Sequence, residues 1–147
     1  MNTKYEFTGE TKIVYGRTLR RIKAIVAIGA TVAPGDIGGW IESENNLSVS
    51  GNAWVYGDAM VYGNAEVHGN AKVHGNADYM TFKNSWSSGR WFTYTASNKK
   101  WSVGCFYGTG DELVRKAYAD SELSGKCYEA IVRAVEAIEA AKGSGVK

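Results

Sequence analysis

The chain has 147 residues, of which 44% are hydrophobic, 12% aromatic and 22% charged, with a formal net charge of +2. That length is typical of one domain, and ample apolar content with near-balanced charge excludes intrinsic disorder. So mild a charge leaves no electrostatic footprint for a nucleic-acid polymer. Gly occurs 18 times against a single Pro, Pro34, which points to periodic use of glycine, because low complexity would raise both.

Residues 1–48 read as N-terminal strands followed by an irregular first coil. The opening MNTKYEFTGETK has no apolar run of signal-peptide type. No later stretch reaches the roughly 18 uninterrupted apolar residues of a membrane span, so a soluble, cytoplasmic protein is expected. Tyr5, Phe7, Ile13, Val14, Leu19 and Ile22, punctuated by Gly9 and Gly16, predict short strands in a hairpin. Arg17, Arg20, Arg21 and Lys23 form a basic cluster within it. Extended backbone puts Arg17, Arg21 and Lys23 on one face and Arg20 on the other. The plain reading is a solvated charged face; the functional one is an anion site, since planar guanidinium groups match phosphate oxygens. Pro34-Gly35 and Gly38-Gly39 predict turns, and Trp40 is a large anchor beside them.

From Val49 to Asp78 the chain reads VSGNAW, VYGDAM, VYGNAE, VHGNAK, VHGNAD, five hexads without a slip. Val, Gly, Asn or Asp, and Ala recur in fixed columns. Five Gly-Asn or Gly-Asp pairs would break a helix five times, and a turn at every sixth position leaves too little strand for hairpins. What remains is a parallel β-helix, the architecture of hexapeptide repeats. The pattern closely resembles the left-handed β-helix family, whose hexads point an aliphatic residue and a small one two positions earlier into a triangular prism. Val55 with Ala53, and Val61 with Ala59, match that pair. The resemblance implies three hexads per coil, so Trp54 would stack with Lys72, Tyr56 with His74 and Met60 with Asp78, all pointing outward. Five hexads are under two coils, and so short an array needs a cap, an oligomer or both. A homo-oligomer is expected, with a trimer favoured because the prism has three sides.

Residues 79–147 read as an α+β cap. Phe92, Tyr94 and Ala96, then Trp101, Val103 and Cys105, alternate around a Ser97-Asn98-Lys99-Lys100 turn and predict an aromatic-rich β-hairpin. From Asp111, an expected N-cap, apolar residues fall at helical spacing, and Ser124-Gly125 is expected to separate two C-terminal helices. The expected fold is therefore mainly β with an α+β cap: a short left-handed parallel β-helix, an aromatic hairpin and two helices.

Little catalytic chemistry is legible. The two histidines, His68 and His74, lie in tight hexads on different faces, and Cys105 and Cys127 have no ligand-spaced partners, so neither a metal site nor a cofactor is expected. Nucleophile-elbow, P-loop and zinc-protease motifs are missing. Gly108-Thr109-Gly110 reads as a strand-to-helix connection, with a phosphate cradle as the weaker reading.

The order YEFTGETK, GRTLRRIKAI, GDIGGWIESENNLSVSGNAWV and GCFYGTGDEL resembles small proteins encoded by bacteriophages and prophages. The resemblance implies a phage accessory protein acting in the cytoplasm of the infected bacterium, without catalytic residues. The function expected by analogy is counter-defence: a homo-oligomeric sponge that sequesters a small nucleotide immune signal. Such a site would use aromatic plates for the base and guanidinium groups for phosphate. Arg17, Arg20, Arg21, Trp40, Trp54, Tyr56, Arg90 and Trp91 are the expected ligand-binding residues. An interaction module that inhibits or scaffolds a host protein is the alternative, and a hexapeptide acyltransferase ranks below both.

Overall fold

The computed structural model describes residues 2–143. Strands β1 (Tyr5–Val14) and β2 (Arg17–Ala24) pair antiparallel around Tyr15-Gly16. Both turn residues have positive φ, 53° and 75°, the turn geometry whose twist matches that of the flanking strands. Gly9, at φ 98°, lies in a register shift between Phe7 and Thr11. Strand β3 (Ile37–Ile41) runs antiparallel to β2. The hexads supply β4 (Trp54–Val55), β5 (Met60–Val61) and β6 (Lys72–Val73). β5 lies parallel to β3, completing a mixed sheet of order β1-β2-β3-β5, while β4 and β6 form a separate parallel pair.

The expected left-handed parallel β-helix is therefore corrected. The hexad strands are two residues long, and they join short, mixed sheets in place of a solenoid. Among the described residues, parallel bridges join Trp54 with Lys72, Val55 with Val73, Trp40 with Met60, Ile41 with Val61, and Leu47 with Val67. A turn at every sixth residue leaves too few residues for a long ladder. The N-terminal hairpin instead supplies the longer antiparallel ladder and takes up the edge of β3.

The Ala and Val columns from Ala53 to Val73 are buried with Tyr5, Ile22, Ile41 and Leu47 in one core. Trp54, expected to point outward, is only 1% exposed and belongs to this core. Its burial depends on Gly38: a Cβ there would stand 2.6 Å from Trp54 Cζ2. Glycine at Gly38 thus lets β3 press onto the hexads.

A second core lies in the C-terminal part. Strands β7 (Tyr79–Lys83), β8 (Trp91–Thr95), β9 (Lys100–Val103) and β10 (Phe106–Thr109) form an antiparallel sheet of order β10-β9-β8-β7. Phe92, Tyr94 and Trp101 pack with Leu113, Val114 and Ala117 of α1 (Gly110–Asp120) and with Tyr128, Val132 and Val135 of α2 (Glu122–Gly143). The N-cap of α1 is Thr109, not Asp111: the Thr109 hydroxyl accepts from the Glu112 N–H, and the Glu112 carboxylate accepts from the Thr109 N–H. The helices separate at Ser121, and Gly125 lies inside α2. There a Cβ would collide with the Tyr118 ring, so this glycine serves close helix packing and not a break.

Candidate functional site

Pairing registers place side chains on the two faces of the first sheet. In β2, Thr18, Arg20, Ile22 and Ala24 alternate with Arg17, Leu19, Arg21 and Lys23. Lys12 lies opposite Leu19, Arg21 opposite Trp40, and Trp40 opposite Met60, so all of these share the outer face. Leu19 is fully buried yet belongs to neither core. With Trp40, only 7% exposed, it makes a small apolar floor roofed by the stems of long cationic side chains.

The cations are held by specific contacts. Lys12 Nζ stands 4.4 Å from the Trp40 ring centroid and the Arg21 guanidinium carbon 5.0 Å from it. Arg21 Nε donates to the Gly38 carbonyl and Nη2 to the Gly57 carbonyl, each at 3.0 Å, and Asp58 is 3.8 Å away. Arg17 donates to Glu42 Oε1 at 2.8 Å and lies 5.5 Å from the Tyr62 ring. The Glu42 carboxyl is held below the usual carboxylate range, first by the Gly63 N–H and then by Arg17, so it is ionised at neutral pH.

One polar atom on this face is unmatched. Trp40 Nε1 is buried without a hydrogen-bond partner among the described residues. Buried donors in native proteins are nearly always satisfied, so an orphan needs an explanation. Its neighbours Lys12 and Arg21 carry only donors. What the group lacks is an acceptor, and an anion supplies several.

Of the residues expected from sequence, the fold brings Arg21 and Trp40 into contact here and puts Arg17 on the same face. Arg20 lies on the opposite face, 5.4 Å from the Phe7 ring. Trp54 is core, with no face left for a ligand. Tyr56 stacks on His74 at 4.3 Å and shares a hydrogen bond with the Thr31 hydroxyl, so its ring and its hydroxyl both have partners within the chain. Arg90 and Trp91 belong to the C-terminal part. Arg90 lines a separate cavity of about 380 Å³ with Lys116, Cys105 and Tyr128, and Trp91 opens β8 opposite Lys83. Sequence reasoning missed Lys12. The signal for Lys12 was present: a two-residue turn at Tyr15-Gly16 sets it opposite Leu19.

Among the described residues no group of three or more His, Cys, Asp or Glu side chains could hold a metal ion. No helix is long and apolar enough to cross a membrane. No protein-family model matches the chain, and no curated protein is significantly similar to it.

Proposed function

We propose that the protein is a non-enzymatic binding module that captures a small phosphate-bearing nucleotide on the outer face of its first sheet. The observation that carries this reading is the orphaned Trp40 N–H beneath Lys12 and Arg21, with Arg17 on the same face of the sheet. Phosphate oxygens would accept from the indole and from the guanidinium and ammonium donors together, and charge-assisted bonds of this kind are the stronger ones. Tyr62 and Met60, both half-buried, flank the cations and offer apolar surface to a base. Sequestration of a nucleotide immune signal by a phage accessory protein is the biological role consistent with capture without catalysis.

The test is native mass spectrometry of protein purified from bacteria carrying nucleotide-based defence systems, followed by calorimetric titration with cyclic dinucleotides, ADP-ribose derivatives and pyrophosphate. A bound small molecule absorbing near 260 nm is expected, with nucleotides of these classes competing for its site. Arg21→Gln should weaken binding roughly tenfold to a hundredfold, as for loss of a hydrogen bond to a charged group. Trp40→Phe keeps an aromatic ring at the site and removes the N–H, and should weaken it about tenfold. A protein that binds none of these ligands, or binds them equally well in both variants, overturns the reading.

A further inference from the structure

The tip of the first hairpin stands apart from the body. β3 pairs with β2 only from Arg20 onward, and beyond the contacts of Lys12, Arg17 and Leu19 the tip at residues 13–16 projects as the end of a two-stranded arm. Two-stranded hairpins are marginal in water without cover. At its tip are the two most exposed of the large hydrophobics described, Ile13 at 75% and Tyr15 at 84%. Between Thr11 and Arg21 the arm carries Lys12, Arg17, Arg20 and Arg21 and no carboxylate.

The complementary surface lies elsewhere on the same chain. A trough of about 610 Å³ is lined by Glu44, Glu66, Leu47, Val49 and His68, among others, and Val49 is 51% exposed. From Ile41 to Ala71 the chain holds Glu42, Glu44, Asp58 and Glu66 and no Lys or Arg. Glu42 and Asp58 face Arg17 and Arg21 of their own chain. Glu44 and Glu66 have no Lys or Arg partner among the described residues; Glu44 accepts from Asn2, and Glu66 contacts His68. A basic, apolar-tipped arm and an acidic trough with an exposed aliphatic residue thus coexist on one molecule.

We infer that the β1–β2 arm of one copy seats in the Glu44–Glu66 trough of a second copy. Arm and trough are different patches, so the contact is head-to-tail and closes as a ring if the rotation permits. Ile13 and Tyr15 would cover Val49, while the exposed Arg20, on the face turned away from Trp40, would approach Glu44 and Glu66. Ile13, Tyr15, Glu44 and Glu66 make none of the contacts described around Trp40, so the variants that test this interface leave that site intact.

The full chain should run as a multiple of its 16.0 kDa mass in native mass spectrometry and light scattering. Ile13→Asp combined with Tyr15→Asp should release monomers, as should Glu44→Lys combined with Glu66→Lys. Asp tolerates the left-handed backbone at Tyr15, and all four positions are exposed, so melting of each variant should show that the fold persists. An arm-defective copy mixed with a trough-defective copy should restore a two-chain species, because one intact arm and one intact trough remain. A monomeric wild-type protein overturns the inference, as does an oligomer that either double variant leaves intact or a mixture that stays monomeric.

Discussion

Asn46 is wholly buried, and backbone groups saturate its amide. Its Oδ1 accepts from the N–H groups of Glu42 and Ser43 at 3.1 and 2.9 Å, and its Nδ2 donates to the carbonyls of Gly63 and Ala65 at 3.2 and 2.8 Å. One side chain thereby ties the turn after β3 to the hexads. Asn46→Ala removes that partner from four backbone groups, of which the Glu42 N–H keeps the Val61 carbonyl, and at about 1–3 kcal/mol for a buried group left unsatisfied the loss should be about 2–3 kcal/mol. Asn46→Asp should cost a comparable amount, since a carboxylate oxygen would then face two carbonyls. Urea unfolding measures both, and a loss below about 1 kcal/mol in either would show that the network relaxes around the change. Asn46 was not legible as a keystone in the sequence, because Asn-Asn before a hydrophobic residue reads as an ordinary turn.

At the level of elements, close approach of β3 to the hexads is set by two glycines that read as a turn signal. A Cβ on Gly39 would stand 2.6 Å from the Ala59 carbonyl and 2.7 Å from Val55 Cγ1. The carbonyl is backbone and cannot swing aside without shifting the β3–β5 pairing. Gly39→Ala should therefore cost about 1–3 kcal/mol, as overpacking does. The hexad glycines, identical by pattern, divide by conformation: Gly51, Gly57, Gly63 and Gly69 have positive φ, whereas Gly75 does not and has open space around its Cα. Gly75→Ala should stay within about 0.5 kcal/mol, the range of a neutral surface change. Thermal melts of the two variants side by side check the contrast, and equal losses would sink it. The strand of the aromatic hairpin and the amphipathic helices were legible because their apolar periodicity is local. Thr109 as the cap of α1 and Gly125 as a packing position were less so, since each depends on what stands opposite.

Over the whole molecule, the N-terminus is fastened to the hexads by a buried lysine. Lys4 is 4% exposed and donates from Nζ to the Ser48 carbonyl at 2.9 Å, next to the Tyr5 hydroxyl bond to the Leu47 carbonyl. Burial lowers its pKa from 10.5 to about 8. Between those values the unfolded chain holds a proton that the folded chain has released, so this group makes global stability rise with pH from about 8. Burial pushes Tyr5 and Tyr79 up to about 12, and from pH 10, their ordinary value, they act in the opposite direction. The rise should be visible between about pH 8 and pH 10 in urea unfolding and should flatten in Lys4→Met. A slope unchanged in Lys4→Met would assign it elsewhere.

Local pattern alone determined which residues seek burial: the Val and Ala columns of the hexads, the aromatic strands of the C-terminal hairpin and the apolar stripes of α1 and α2, because each is a short-range periodicity matched to one backbone geometry. It also placed Arg17 and Arg21 on one face of β2, apart from Arg20, since strands alternate. Only tertiary structure decided that Trp54 faces the core, that Lys12 of β1 and Arg21 of β2 meet over Trp40, and that the hexads join mixed sheets in place of a solenoid. The physical reason is that these contacts join segments far apart in the chain, with β3 holding the hairpin on one edge and a hexad strand on the other. A two-residue hexad strand offers few ladder bonds, and a long antiparallel hairpin from a distant part of the chain offers more.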